Sequence, residues 1–116
     1  MGKDGLLGAF EEVVLLAVAR GGGHAYGMTV RREIEERTGR EVTIGAVYST
    51  LDRLETKGYL SSRLGGSDEA RSGRARRHFQ VTPEGVEALG RVRRMRAGLW
   101  EGIDLGDLAA DAESGS

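Results

Sequence analysis

Apolar residues recur at helical spacing in four stretches of the chain and at strand spacing in two, and the order of these stretches predicts the architecture. Over residues 6–20 they fall at Leu6, Phe10, Val13 and Ala17, and again at Leu7, Val14 and Val18. This predicts a helix with two apolar faces, one for its own core and one for another surface. Gly21-Gly22-Gly23 ends it, because glycine takes the left-handed conformation at a helix C-terminus without strain. The triple glycine does not read as a phosphate loop: no strand precedes it and no Lys-Ser/Thr pair follows. Tyr26, Val30 and Ile34 repeat every four residues and predict a second helix over 25–38, with Arg31, Arg32, Glu33, Glu35, Glu36 and Arg37 facing water and Gly39 as the stop. Thr43 is a good N-cap for a third helix to about residue 57, since its hydroxyl can accept a bond from a free first-turn amide. Ile44, Val47, Leu51 and Leu54 form its buried stripe, and Ala46, Ser49, Thr50 and Arg53 its opposite, small and polar face. Gly58 terminates it.

From Tyr59 the period changes to two. Residues 59–64 and 76–81 read as the strands of a β-hairpin, joined by a long polar tip rich in glycine and serine. Thr82-Pro83-Glu84 starts a last helix, with threonine as cap, proline at the first helical position and an acid in the first turn. Its stripe runs through Val86, Leu89, Val92, Met95, Leu99 and Ile103. Some twenty residues at about 1.5 Å each make it roughly 30 Å long, too long to be covered by its own subunit. Residues 104–116 are acidic and read as a frayed or disordered tail.

The fold class is therefore mainly α with a small β-hairpin (α+β), a winged helix-turn-helix with a long C-terminal dimerisation helix. Residues 1–81 form the DNA-binding domain with the wing at about 59–81, and residues 82–103 the dimerisation helix. At 116 residues with 5% aromatics, one domain with a thin core is all the chain can build, and a partner subunit would complete it.

Net charge is −1, but its distribution changes that picture. Residues 1–60 balance to −1, residues 61–97 to +5 and residues 98–116 to −5. An acidic end thus masks a basic segment of the kind phosphates need. In a winged helix the third helix enters the major groove and the hairpin follows the backbone beside it. Thr43, Ala46, Ser49, Thr50 and Arg53 suit the groove, and Arg71, Arg74, Arg76 and Arg77, four cations within seven residues, suit phosphate. Surplus apolar surface on the first and last helices, at Leu6, Leu7, Phe10, Val92, Met95, Leu99, Trp100 and Ile103, predicts a homodimer interface. With no cysteine and two histidines about fifty residues apart, the chain offers no nucleophile with a base and no metal set. An enzyme is not expected, nor a cofactor. Neither a signal peptide nor a membrane span is readable, which predicts a cytoplasmic protein. The alternative reading is a winged-helix module for protein association without DNA.

Five blocks in order carry a family resemblance: His24-Ala25-Tyr26-Gly27, residues 45–55 (GAVYSTLDRLE), Lys57-Gly58-Tyr59-Leu60, residues 73–79 (GRARRHF) and residues 81–85 (VTPEG). The chain resembles PadR-type transcriptional regulators from about Leu6 to Leu99, in their short-tailed branch. The resemblance implies a homodimer that usually represses transcription and is often released by a small aromatic or cationic ligand. It implies DNA contact for Tyr48, which lies off the apolar stripe of the third helix. Tyr26 matches a family tyrosine too, but its place on the apolar series of the second helix favours core packing. A cavity near the dimer helices, with Phe10, Met95 and Trp100 as lining residues, is the implied ligand site. For Trp100, plain packing at the interface is the competing role.

Overall fold

A computed structural model describes residues 6–65 and 76–115. Among the described residues five helices and two strands follow one another: α1 (Ala9–Arg20), α2 (Gly27–Thr38), α3 (Ile44–Thr56), β1 (Leu60–Leu64), β2 (Arg77–Val81), α4 (Pro83–Trp100) and α5 (Leu105–Ser114). This is the winged helix-turn-helix that the periodicities predict, with one helix more.

Caps fix most of the boundaries. Thr43 accepts from the Ala46 amide at 3.1 Å and Thr82 from the Gly85 amide at 3.0 Å, so each threonine satisfies a first-turn N–H that the helix cannot. Gly39 ends α2 at φ +72°, where a side chain would be strained. The first helix starts three residues later than its apolar pattern suggests, because the Glu11 carboxylate reaches back to the Gly8 amide at 2.9 Å and sets the start there. The second starts at Gly27, with Tyr26 outside it as the N-cap.

The strands pair antiparallel, Leu60 opposite Val81 through Leu64 opposite Arg77. Ala25 adds an isolated bridge on the other edge of β2, its carbonyl accepting from the Phe79 amide at 2.8 Å. Phe79 is thereby pinned in the core with Val14, Leu15 and Val18 of α1, Val30 and Ile34 of α2, and Val47, Leu51 and Leu54 of α3. Removing such side chains from water at about 25 cal/mol per Å2 is the main force that seats α3 on α1 and α2. Ala88 and Val92 bring the first half of α4 onto the same core.

Beyond Val92 every residue of α4 is exposed. Residues 104–116, read as a disordered tail, instead contain α5. Asp104 caps it by accepting from the Asp107 amide at 3.0 Å, and Leu105, Leu108 and three alanines supply helix propensity that the acidic composition hides. No residue of α5 is buried, and the molecule is 65 Å along its longest axis against 28 and 22 Å across.

Candidate nucleic-acid interface

The exposed face of α3 is built of small groups. Gly45, Ala46 and Ser49 lie open, with the Ser49 hydroxyl donating to the Gly45 carbonyl at 2.8 Å. Tyr48 borders this face. Its ring lies over the first turn of α2, where a Cβ on Gly27 would come within 2.3 Å of the tyrosine Cζ. Only glycine permits that approach, and the tyrosine still keeps 44% of its surface exposed.

Two ion-pair clusters hold α3 in position. At one, Glu11 of α1 accepts from Arg53 Nε at 3.0 Å and from Lys57 Nζ at 2.7 Å, besides the Gly8 amide. Burial by itself would raise the Glu11 pKa, but the Lys57, Gly8 and Arg53 hydrogen bonds outweigh it and hold the carboxyl at about 2. At the other, Arg77 of β2 donates to Glu55 Oε1 at 2.5 Å and to Ser62 Oγ at 3.0 Å, and lies 3.5 Å from Asp52. Its guanidinium also sits over the Phe79 ring at 5.5 Å. The base of the hairpin is thus tied to the second half of α3. Arg76 caps the Tyr26 ring at 4.5 Å, and Tyr26 lies 5.8 Å from the His78 ring.

A model of the transcriptional regulator PadR-like family matches residues 15–91. The chain belongs to the PadR-like family. Its folded frame recurs in solved PadR structures. A PadR-like transcription factor from Bacteroides fragilis matches at a TM-score of 0.69 with 24% identity, over 79% of this chain and 84% of that one. A PadR family regulator from Eggerthella lenta matches at 0.67 with 23% identity, over 86% and 80%. RosR of H. salinarum matches at 0.66 with 23% identity, over 95% and 96%. No curated protein matches the chain. As a PadR-like protein it is a DNA-binding transcription regulator, of a family that is generally not enzymatic. No helix among the described residues is long and apolar enough to cross a membrane.

The predicted contact residues separate on this frame. Thr43, Ala46, Tyr48 and Ser49 share the open side of α3. Thr50 does not: at 2% exposure it is buried beside Leu51 and Leu54, one turn past Val47. Arg53 is half exposed but engaged by Glu11. Arg71 and Arg74 lie outside the described residues, while Arg76 and Arg77 stand at the hairpin base on the partners given above.

The dimer residues divide as well. Leu7 and Val92 are buried in the chain's own core and are corrected to that role. Leu6 and Phe10 are partly buried against it, whereas Met95, Leu99, Trp100 and Ile103 are exposed, Leu99 at 72% and Trp100 at 54%. Phe10 lines a groove with Val13, Ile34 and Val42 in which neither Met95 nor Trp100 takes part. Within one chain the implied ligand site is therefore not assembled.

Sequence reasoning assigns Tyr26 to the core because of its spacing from Val30 and Ile34. As an N-cap it stands beside the hairpin instead, a seat for Arg76. It also overlooks Glu11, whose partners lie 42 and 46 residues away. Gly27 is the other residue whose role is visible only in three dimensions. Gly27→Ala is expected to change thermal stability by no more than about 1 kcal/mol, because the end of the Tyr48 ring that it meets is half exposed and can swing aside and alanine is the better helix former. Tyr48→Ala in the same chain should remove whatever cost the displaced ring brings, as a double-mutant cycle would record.

Proposed function

We propose that the chain is a cytoplasmic, sequence-specific repressor that binds double-stranded DNA as a homodimer and is released by a small aromatic or cationic effector. The observation that carries this reading is the open side of α3, where Thr43, Gly45, Ala46 and Ser49 present hydroxyls and backbone with no bulky apolar group to block entry to a major groove. The arginine-bearing hairpin begins directly after α3 and is tied to it through Arg77, which supports a wing that tracks phosphate beside the groove. Apolar side chains left open at the end of α4 support pairing with a second copy, since contiguous patches of that kind mark interaction surfaces. Repression and effector release rest on membership of the family.

One observation favours the rival protein-binding module: Arg53 and Arg77 are both paired with carboxylates and are not idle cations. Salt separates the readings. Binding to a mixed-sequence duplex, followed by fluorescence anisotropy, should weaken steeply as salt rises, with log Kd linear in log salt. The alternative gives no binding to titrate. Replacing Arg74, Arg76 and Arg77 together by alanine should weaken all duplexes alike and flatten the slope by about 2 to 3 units per subunit; an unchanged slope would remove the wing from the interface.

A further inference from the structure

The Arg53 guanidinium is held on two sides before any DNA arrives. Its Nε donates to Glu11 Oε2 at 3.0 Å and its Nη2 to Thr50 Oγ1 at 3.4 Å. Glu11 and Thr50 are both buried, so the two acceptors are fixed by the fold rather than by solvent. Arg53 Nη1 has no acceptor among the described residues, and 51% of the side chain stays open.

An arginine bound to a single carboxylate is neutral as a pair and attracts an anion weakly. Here the same oxygen, Glu11 Oε2, also accepts from Lys57 Nζ at 2.7 Å. Lys57 is the more covered cation, 29% exposed, and it balances the carboxylate from the inner side. One net positive charge is left over, and Arg53 carries it outward. The Glu11 carboxyl, held at about 2, is ionised throughout the neutral range, so this balance is constant there.

The place of Arg53 on α3 decides what it can meet. Ala46, Ser49 and Arg53 follow one another at spacings of 3 and 4, so Arg53 continues the open side by one turn. Seven residues of helix separate positions 46 and 53, about 10 Å. A helix whose start reads base edges in a groove about 12 Å wide has left those edges by then and passes a phosphate row.

We propose that Arg53 takes a DNA phosphate on its open guanidinium edge, and that Glu11, its charge balanced by Lys57, is the positioning residue that aims it. The inference rests on α3 lying in the major groove, as proposed above. It moves Arg53 from base edge to phosphate. It also accounts for the pairing that by itself favours a protein-binding module: a guanidinium already fixed by buried acceptors loses less freedom when a phosphate arrives.

The test turns on a sign. Glu11→Gln removes a negative charge near the duplex, so charge alone predicts tighter binding. The proposal expects the reverse: in anisotropy titrations on a mixed-sequence duplex Glu11→Gln should bind at least about threefold more weakly than the parent. In an Arg53→Gln chain the same exchange should no longer weaken binding, while Arg53→Gln alone should lower the salt slope by about one per subunit. The titrations are run at a temperature where circular dichroism shows each variant as helical as the parent. Arg53→Lys gives a reading independent of the Glu11 variant's stability. That side chain is half exposed and the charge is kept, but lysine has no planar fork to hold Glu11 with one edge and a phosphate with another, so binding should weaken about fivefold. The positioning role is overturned by a Glu11→Gln chain that binds as tightly as the parent or more so, by one that weakens binding equally without Arg53, or by an Arg53→Lys chain of parental affinity. Each of these leaves α3 in the groove. A parent chain that binds no duplex overturns both readings.

Discussion

Glutamine in place of Glu11 is expected to cost the folded chain about 3 kcal/mol at neutral pH and to remove much of its sensitivity to acid. In the fold this carboxyl is held at about 2, against an ordinary 4.5. A depressed carboxyl pKa contributes stability that is fully present above the unfolded value. That stability is lost as pH falls from about 4.5 toward about 2, and more than half of it is gone by roughly pH 3. The magnitude is plausible because Glu11 is buried and receives two cations and a backbone amide, the arrangement in which removing one partner is most costly. Lys57 does not offset the loss by returning to water, since it would stay partly covered beside α1 without its acceptor. Urea unfolding at pH 7 and pH 3 checks this. The parent should lose stability on acidification, and Glu11→Gln should lose about 2 kcal/mol less over the same interval. Glu33 and Glu35 also have lowered pKa values, through Arg37 and the Val42 amide respectively. Both are surface groups and remain in the two proteins alike, so they cancel in the comparison. Equal losses would mean that the Glu11 cluster does not bind α1 to α3.

What the chain declares in its own order is local chemistry. Thr43, Thr82-Pro83, Gly39 and Gly58 act within a turn of where they stand, and with the period of the apolar residues they suffice for α1 to α4, the hairpin and hence the wing. The site was legible to the same extent. The open side of α3 follows from the Ile44–Leu54 stripe, except at Thr50, where a hydroxyl beside a buried leucine was read by polarity when position on the helix decides. The misreadings elsewhere share a cause, for each depends on a contact between distant segments. Leu7 and Val92 are apolar in any case, and only the packing of α4 against α1 determines that they face inward rather than toward a partner. Tyr26 keeps a four-residue spacing with Val30 and Ile34, yet the Ala25 bridge with Phe79 holds this stretch extended and postpones α2 to Gly27. In α5 five acids in nineteen residues suggest disorder before helix, and neither the Asp104 cap nor the alanines enter that reading.

Ala46→Glu is expected to weaken DNA binding at least about a hundredfold while leaving the fold as stable as before, or more so. Residue 46 is the third of α3, two after Ile44, where the N–H groups at the start of a helix favour an acid. With Thr43 already accepting from the amide of residue 46, a glutamate there can reach back to the Thr43 amide and complete a reciprocal cap, worth some tenths of a kcal/mol to about 1 kcal/mol. The side chain is exposed, so no packing is disturbed. Against DNA the same carboxylate would stand between phosphate rows in the major groove. Like charges brought together at an interface cost several kcal/mol, and a dimer meets the penalty twice. Ala46→Gln, of equal size and no charge, separates electrostatics from bulk: it should retain affinity within about tenfold of the parent, a single lost or strained contact being worth about 1 kcal/mol. Melting temperatures together with anisotropy titrations on one duplex of about three helical turns distinguish the outcomes. A glutamate variant that melts normally and binds as tightly as the parent would place the start of α3 outside the groove, and the protein would have to be read as a regulator that docks by some other face.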